Sequence, residues 1–445
     1  MLDLENPTLI ALASSLAPGL LRIGGSPEDS IVFDADGTCV VNGTQAPNAS
    51  YFCSQVHPYV YGCLTASRWQ ALLGFAARTG LKIAYGLNGC WGRTSKDTTM
   101  DFSNIKEMLQ ATVASPHWKA GLSYFEFSNE IVNAQISAAA WGADAAALRQ
   151  IIVDAFPAGE APPLVGPDSG DESPDLARVV KDTPAGVLYA LTYHEYPQCI
   201  GPPGGTAGSW VVLEPECLEG MDRAAAKFAA EARSQPGLRV WSGEGADHGG
   251  GGVSGLTDSF RDSFYYAWRL GALPAVGVEL AVRQCFTGGE YEMLQHAAEF
   301  APNPDYFVAW LFKNLVGGGA TPLPVTTSVP TNVSGVRAFA FRTAAAAGGS
   351  IRGATTLLLL NLNTVNTFPL QLLAEAEALS RSEWHLTGEV SAPHGVICCN
   401  GAPLVLGAQT RQPPPVKSLS TSAAAGTPVS LAPASIVFVQ LLATS

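Results

Sequence analysis

Two glutamates close short β-like runs in this sequence. The run YFEFSNE ends in Asn129 and Glu130, and the run RVWSGE ends in Glu244, just before a glycine-rich stretch. Where parallel strands form a barrel, side chains at their carboxyl ends face the open end at which catalysis takes place. We therefore expect both carboxyl groups to lie at the same face of the protein.

Two carboxyl groups that flank one bond meet the requirement for hydrolysing a glycosidic linkage. One must carry a proton to release the leaving oxygen, and the other must be ionised to attack or stabilise the sugar carbon. The sequence predicts Glu130 as the acid/base and Glu244 as the nucleophile. A separation of about 5 to 5.5 Å between the carboxyls would indicate retention of configuration. Asn129 would hydrogen-bond the sugar 2-hydroxyl group.

Each of these residues also has a structural interpretation. Asn129 would cap the next helix, and Glu130 would occupy its first turn, where the helix dipole favours an acidic side chain. Glu244 would be a solvated glutamate ahead of a flexible loop.

A third run, VLYALTYHEY at 187–196, brings His194 and Tyr196 to its end. Period-two alternation places Glu195, which lies between them, on the opposite face. The tyrosine is suited to holding the nucleophile in place, and the histidine to lining a sugar pocket. The alternative for His194 is a hydrogen-bonded histidine in the barrel wall.

The elements that must position these residues alternate between strand-like and helix-like runs, which is typical of parallel βα units. Seven strand-like runs are predicted, at 20–26, 81–88, 124–130, 163–168, 187–196, 239–244 and 275–286. An eight-stranded barrel cannot close with a strand missing. Because the chain begins on a helix-like segment at 1–18, we expect a (β/α)8 TIM barrel whose first strand is absent from this sequence.

The pattern changes at about residue 319. Strand-like runs separated by Pro, Gly and Ser clusters follow, at 336–343, 354–363, 368–373, 395–407 and 434–442. These features predict a C-terminal antiparallel β-sandwich. The expected domains are a catalytic barrel at 1–318 and a sandwich at 319–445.

The composition limits the classes of partner. Hydrophobic residues make up 47% of the chain and charged residues 14%, so there is enough apolar material for large cores. A formal net charge of -13 argues against nucleic acid or an anionic membrane as a partner. Neither a membrane-spanning run nor metal-ligand spacing is evident, so no cofactor and no metal is expected.

The nine cysteines leave at least one thiol outside any set of disulfides. Cys53 with Cys63, and Cys199 with Cys217, are candidate pairs because each would close a loop rich in turn residues. The neighbours Cys398 and Cys399 are predicted to lie on opposite faces of a strand. The first residues are acidic where an export signal would be basic, so no signal peptide is expected.

The ordered set LRIGGSPEDSIVFD, FEFSNE, LTYHEY, WSGEGADHGGG and VRQCFTGGEYEML resembles glycoside hydrolase family 79, the heparanases and plant heparanase-like β-glucuronidases. The resemblance extends over nearly the whole chain. It implies a barrel with a β-sandwich and a retaining hydrolase of glucuronic acid linkages, with Glu130 as proton donor and Glu244 as nucleophile.

The resemblance also implies residues that bind the substrate. Gly250, Gly251 and Tyr291 match the family's ligands for the glucuronate carboxylate, and Ser26 matches a position that touches the sugar. The glycine offset is open by one, since His248 and four glycines stand where relatives have a tyrosine.

The expected partner is a glycan that contains glucuronic acid, or a small glucuronide, with the oligomeric state left open. The long basic linker of animal heparanases is absent after 33–37, so plant-type substrates are favoured over heparan sulfate. The resemblance implies an extracellular, lysosomal or vacuolar location, with membrane association left open. Two alternatives stand: a non-catalytic carbohydrate-binding or cell-surface protein inactivated by the missing strand, and a barrel glycosidase of another specificity.

Overall fold

The computed structural model describes most of the chain. The described residues are 2–39, 62–90, 92–132, 136–170, 176–199, 211–328, 331–343, 353–372, 376 and 379–441.

One sheet carries the barrel fold. Its seven strands follow one another in chain order: Leu20–Ile23, Lys82–Leu87, Leu122–Phe127, Leu164–Gly170, Leu188–Glu195, Arg239–Gly245 and Leu280–Arg283. The registers of the first five strands are parallel. All seven lie within or overlap the predicted runs, which confirms the barrel with seven strands in the described residues.

Helices precede, separate and follow these strands along the chain. They span Pro7–Ser15, Ala66–Thr79, Ser103–Val113, Trp118–Gly121, Ala138–Ala155, Leu176–Asp182, Pro215–Ala232, Phe260–Val276, Pro304–Leu315 and Thr331–Ser334. Local chemistry sets several of their ends. Thr65 caps the helix at 66–79 by accepting a hydrogen bond from the Arg68 amide, and Gly80 closes it in the left-handed conformation.

The predicted strand at 275–286 is too long. Ala275 and Val276 belong to the helix Phe260–Val276, which Gly277 ends at φ 93°, and the strand proper is Leu280–Arg283. The run AVGVEL is apolar enough to suit either element. The glycine at 277 decides between them because it supplies a helix C-cap.

The chain divides into two compact units. The first comprises residues 1–194 and 227–244, and the second residues 195–226 and 245–445. In the first unit, Phe127 packs 5.6 Å from Trp141, which joins the sheet to the helix Ala138–Ala155. Trp241 meets Tyr124 edge-on at 4.7 Å. These aromatic contacts thus hold in place the strands Leu122–Phe127 and Arg239–Gly245, which lead to Glu130 and Glu244.

The second unit contains the antiparallel sheets. The larger sheet runs in the order Thr321–Leu323, Val336–Arg342, Thr355–Asn361, Ser435–Leu441, Arg381–Gly388, Ile397–Cys399 and Ala402–Pro403, with Thr421–Ala423 paired to Arg381–Gly388. A smaller sheet pairs Phe368–Leu370 with Val429–Leu431. Val429 and Leu431 pack with Val437 and Val439 of the larger sheet in one buried cluster. This is the core of the predicted β-sandwich. The domain boundary at 318 stays a prediction.

Two short strand pairings and a 3-10 turn lie outside these larger sheets. Ile31–Asp34 runs parallel to Gly62–Thr65, and Leu294–Gln295 runs antiparallel to Ala301–Pro302. Residues Ser26–Ser30 form a 3-10 turn directly after the first strand of the barrel sheet.

The disulfides confirm one predicted pair and correct the other. Cys199 bonds to Cys217 as expected, with their Cα atoms 5.6 Å apart. Cys63, however, bonds to Cys39, and its predicted partner Cys53 lies outside the described residues. The Asp34 carboxylate accepts hydrogen bonds from the amides of residues 38 and 39, which turns the chain back towards the strand that holds Cys63.

Two further cysteines behave as predicted. Cys398 and Cys399 alternate between half-buried and buried positions on the strand Ile397–Cys399. Among the helices of the described residues, none combines the length and apolar character needed to cross a bilayer.

The close packing of the helix Phe260–Val276 on the strand Val336–Arg342 gives a first prediction. A Cβ at Gly271 would lie 2.2 Å from Phe339 Cδ2. We expect Gly271→Ala to lower the free energy of unfolding by about 1 to 3 kcal/mol, since overpacking forces neighbours apart. Urea denaturation measures this change.

Gly220→Ala is the matched control, because it lies in the helix Pro215–Ala232 and the nearest atom to its added Cβ is 3.7 Å away. There the substitution should stabilise by about 0.5 to 1 kcal/mol through helix propensity alone. Equal changes in the free energy of unfolding for the two substitutions would show that the close contact between Gly271 and Phe339 does not require glycine.

Candidate active site

A tight turn after the strand Leu122–Phe127 presents the first glutamate. Ser128 and Glu130 both adopt left-handed φ values, 66° and 58°. The Glu130 amide donates to the Asp168 carbonyl at 2.9 Å, and the Asn129 amide donates to Asp29 Oδ2 at 3.0 Å. The strand therefore ends at Phe127, and hydrogen bonds to Asp168 and Asp29 hold the turn that follows it.

The helix-cap interpretation of this pair is wrong. The next helix is Ala138–Ala155, and its N-cap is Ser137, whose side chain accepts from the Ala140 amide. Asn129 is instead 1% exposed, and its side-chain oxygen accepts from Arg22 Nη2 at 3.0 Å. The Glu130 side chain keeps 38% of its surface exposed.

The second glutamate is buried. Glu244 lies near the end of the strand Arg239–Gly245 with 8% exposure, so the solvated-glutamate interpretation is also wrong. Arg22 Nη1 donates to Glu244 Oε2. A Cβ at Gly25, the residue before Ser26, would lie 3.7 Å from the same oxygen. The assignment of Ser26 to the sugar stays a prediction.

His194 links the two glutamates. Its Nδ1 lies 2.7 Å from Glu130 Oε1 and 3.9 Å from Glu244 Oε1. Because both distances share one nitrogen, these two oxygens are at most about 6.6 Å apart, below nearly all of the range of about 6.5 to 9.5 Å for inverting pairs. The ring is 1% exposed, so His194 is a wall histidine that contacts the predicted acid/base.

Arg22 stands at the centre of a buried group of acids. Its guanidinium contacts Glu126, Asp168 and Glu244, and Glu28 lies 3.8 Å away. Burial lowers the pKa of Arg22, but the surrounding carboxylates, Asp168 foremost, outweigh it and raise the pKa above its ordinary value. Arg22 is thus a permanent cation.

The acids around Arg22 differ in protonation. Burial raises the pKa of Glu28 and of Glu126 well above the ordinary value, and Arg22 only partly offsets this. Burial also acts to raise the pKa of Asp168, but Arg22 and His194 outweigh it, so that pKa falls below the usual range. The group therefore holds an ionised Asp168 between acids that retain protons more readily.

The imidazole of His194 is positively charged at neutral pH. Burial alone would lower its pKa, but Glu244 and Asp168 outweigh burial and raise the pKa from 6.5 to about 10. A positive charge is thereby held beside both glutamates.

The second unit holds the other predicted binding residues. Tyr196 lies against Gly249, whose added Cβ would be 3.5 Å from the tyrosine ring. The Gly251 carbonyl accepts from the Glu290 amide at 2.6 Å, so Gly250 and Gly251 lie next to the segment that carries Tyr291. Their assignment to a sugar carboxylate stays a prediction.

Glu195 takes the opposite direction from His194, as the alternation predicted. Both of its carboxylate oxygens accept from Arg269, at 2.8 Å each. This bidentate pair is part of the interior of the second unit.

Sequence reasoning missed Arg22 and Asp168. Each bore a usable signal, since both are charged residues inside runs that otherwise read as buried strands, LLRI and LVGPD. A buried charge is seldom left unpaired, and the partners of Arg22 lie on other, non-adjacent strands of the same sheet.

Two glutamates that lie close together at one end of a parallel barrel sheet meet the requirement for glycoside hydrolysis. The chain is a glycoside hydrolase, as its family shows. Its fold is similar to the GH51 arabinofuranosidase of Xanthomonas axonopodis pv. citri, with a TM-score of 0.65, 16% identity, and coverage of 98% of this chain and 89% of that one. The family model described as glycosyl hydrolase family 79, N-terminal domain, matches residues 1–271. The chain belongs to this family.

Curated relatives agree with the family. Heparanase-like protein 2 of Arabidopsis thaliana is 26% identical over 400 residues, which cover 86% of this chain and 70% of the relative. Baicalin-beta-D-glucuronidase of Scutellaria baicalensis is 24% identical over 412 residues, covering 87% and 74%. Mouse heparanase is 26% identical over 358 residues, covering 71% and 64%.

The charge on His194 predicts a pH dependence of stability. Its pKa is raised in the folded state, so its contribution is present in full below about pH 6.5 and is lost as the pH rises towards 10. The melting temperatures of the wild type and His194→Gln, measured from pH 6 to 10, should therefore converge at the alkaline end.

The control is His117→Gln, at an exposed position of the same unit. The difference in melting temperature between the wild type and His117→Gln should not shrink as the pH rises from 6 to 10. A wild-type advantage over His194→Gln that stays constant up to pH 10 would contradict the charged imidazole.

Proposed function

We propose that the chain is a retaining β-glucuronidase that hydrolyses O-glycosidic bonds of glucuronic acid in glycans or small glucuronides. The observation that carries the proposal is the approach of Glu130 and Glu244 to the same nitrogen of His194. The resulting upper limit on their separation favours direct attack by one carboxylate over attack by a water held between two.

The surroundings of the two carboxyls favour different roles. Glu244 is buried and lies within 4 Å of two cations, Arg22 and His194, whereas the cation beside Glu130 is His194. The additional cation stabilises an ionised Glu244, as a nucleophile requires. Glu130 is the more exposed of the two, which suits a group that must reach both a leaving oxygen and a water molecule. We therefore assign Glu244 as nucleophile and Glu130 as acid/base.

The proposed reaction has two steps. Glu130 gives its proton to the glycosidic oxygen while the bond from that oxygen to C1 breaks, and Glu244 forms an ester bond to C1. Glu130 then takes a proton from water, the water oxygen bonds to C1, and the ester to Glu244 breaks. The sugar leaves with its original β configuration.

Two observations support a glucuronide as substrate. One is the family, whose relatives include a protein named for hydrolysis of the glucuronide baicalin. The other is the resemblance of Gly250, Gly251 and Tyr291 to the family's carboxylate ligands, with the glycine offset open by one. Arg22 is not available for the sugar carboxylate, because its guanidinium already contacts three acids.

Substitution of each glutamate tests the roles. On nitrophenyl β-glucuronide we expect Glu244→Gln and Glu130→Gln each to lower kcat by at least about 10³-fold, since each removes a group that acts in the transition state. Azide should restore turnover in Glu130→Ala with a β-glucuronyl azide product, because the covalent intermediate can still form there. Proton NMR of the first wild-type product should show the β anomer.

Glu160→Gln serves as the control, since this exposed glutamate of the same unit pairs with Lys119 at the surface. Its kcat should equal that of the wild type. Normal hydrolysis by Glu244→Gln would remove the nucleophile assignment, and an α anomer as first product would remove retention. A panel of nitrophenyl glycosides that gave turnover only on another sugar would replace the glucuronidase with a different specificity.

We propose an extracellular, lysosomal or vacuolar location. The disulfides Cys39–Cys63 and Cys199–Cys217 support it, because such bonds form and persist in oxidising compartments. A tagged full-length protein found in the cytosol, with these cysteines open to thiol reagents, would contradict the location.

A further inference from the structure

Asp168 is a buried acid that has no role in the two-step reaction as written above. It lies within the strand Leu164–Gly170, has no exposed surface, and adopts a left-handed φ of 50°. An aspartate in this conformation at a buried position is held there by its surroundings.

Three contacts connect Asp168 to the two glutamates. Its Oδ2 accepts from Arg22 Nη2 at 2.7 Å, its Oδ1 lies 3.3 Å from His194 Nε2, and its backbone carbonyl accepts from the Glu130 amide at 2.9 Å. Arg22 in turn donates to Glu244 Oε2. Every one of these contacts therefore leads either to Glu130 or to Glu244.

The surrounding backbone is adapted to this carboxylate. A Cβ on Gly243, the residue before Glu244, would lie 2.4 Å from Asp168 Oδ1. On the other side, the Asp168 amide donates to Thr192 Oγ1 at 2.8 Å, two residues before His194. The strands that carry the proposed nucleophile and the histidine thus both adjoin Asp168.

We propose that Asp168 is the positioning residue that fixes Glu130 and Glu244 relative to one another, by holding Arg22 and His194 with its carboxylate and the Glu130 turn with its carbonyl. This inference rests on the proposed function. It adds to that function a third acid that touches no substrate and acts only through its neighbours.

The role requires the charge of Asp168 as well as its shape. Arg22 and His194 are the cations that face it, and the acids nearby are Glu28, Glu126, Glu130 and Glu244. An ionised Asp168 keeps the His194 ring protonated on both nitrogens, so that Nδ1 donates to Glu130 while Nε2 faces Asp168. A neutral side chain at 168 would weaken the hold on both cations at once.

Asp168→Asn isolates the carboxylate, because the backbone carbonyl that holds Glu130 remains. The matched control is Asp144→Asn, a second buried aspartate of the same unit, whose carboxylate pairs with Arg93 at 2.6 Å. Both substitutions remove one charge from a buried aspartate–arginine pair. Only the one at 168 faces the histidine.

The first readout does not depend on substrate. The full-length protein contains seven histidines. With 13C-labelled histidine, the signal of His194 is identified by its loss in His194→Gln. We expect the His194 titration to move to lower pH by at least about one unit in Asp168→Asn. It should stay in place in Asp144→Asn.

The second readout is kinetic. Asp168→Asn should lower kcat by about 10²-fold with little change in KM, because small displacements of reacting groups slow the chemical step. Asp144→Asn should lower thermal stability and leave kcat at the wild-type level. Either an unchanged His194 titration or a wild-type kcat in Asp168→Asn overturns the proposal.

Two further outcomes have separate meanings. If Asp168→Asn does not fold, Thr192→Val takes its place, since it removes the acceptor of the Asp168 amide and should shift both readouts in the same direction by a smaller amount. If the wild type cleaves no glucuronide, the proposed function fails alone. The kinetic comparison is then made on whichever nitrophenyl glycoside the wild type does cleave.

Discussion

The polar end of the barrel depends on one constraint: several acids are buried around a single arginine. Glu28, Glu126, Asp168 and Glu244 all lie within 4 Å of the Arg22 guanidinium. In a medium of low dielectric they cannot all be ionised, since the desolvation penalty of each further buried charge exceeds its attraction to a single cation. Protons must therefore be distributed among them, and the directions of the pKa shifts give the distribution. The pKa values of Glu28 and Glu126 are raised by burial and that of Asp168 is lowered by its cationic neighbours, so Glu28 and Glu126 hold protons more strongly than Asp168 does.

The fold satisfies this constraint with small residues and tight turns. Gly86 leaves room for the Glu28 carboxylate, because a Cβ at position 86 would lie within 2.8 Å of all three carboxyl atoms. Gly243 leaves room for the Asp168 carboxylate in the same way. The left-handed turn at Ser128 is held by a hydrogen bond from its amide to the Leu87 carbonyl at 3.0 Å. The buried group of acids therefore requires glycine at two positions next to its carboxylates and a left-handed turn at Ser128. A sheet without these backbone features would have no room for the same side chains.

Much of the fold could be predicted from sequence because it depends on local pattern. Strand-like runs followed by polar residues gave Glu130, Glu244 and His194, all of which meet in the structure. Arg22 and Asp168 were missed because their role depends on which strands carry the opposing charges, and no local pattern contains that information. The bond from Cys39 to Cys63 was missed for the same reason.

The strand Arg381–Gly388 was missed for a different reason. It lies within the larger antiparallel sheet, yet two of its buried residues, Arg381 and Glu383, are charged. They neutralise one another through a contact of 2.6 Å, and His385 adds a second partner for Glu383. Alternation of apolar residues is the sequence signal for a strand, and a buried ion pair removes it.

The position of His194 has a consequence for the proposed reaction. Before attack the negative charge would lie on Glu244 and the proton on Glu130. After the ester forms, Glu244 would be neutral and Glu130 would carry the charge, so one negative charge moves from one carboxyl to the other. Because the imidazolium Nδ1 lies within 3.9 Å of both carboxyls, it faces that charge in either state. Charges that are already in place need no rearrangement at the moment of reaction. A fixed cation between the two carboxyls therefore suits a mechanism in which negative charge moves from Glu244 to Glu130 and back. An ionised Asp168 on the other side of the ring keeps the imidazole charged throughout.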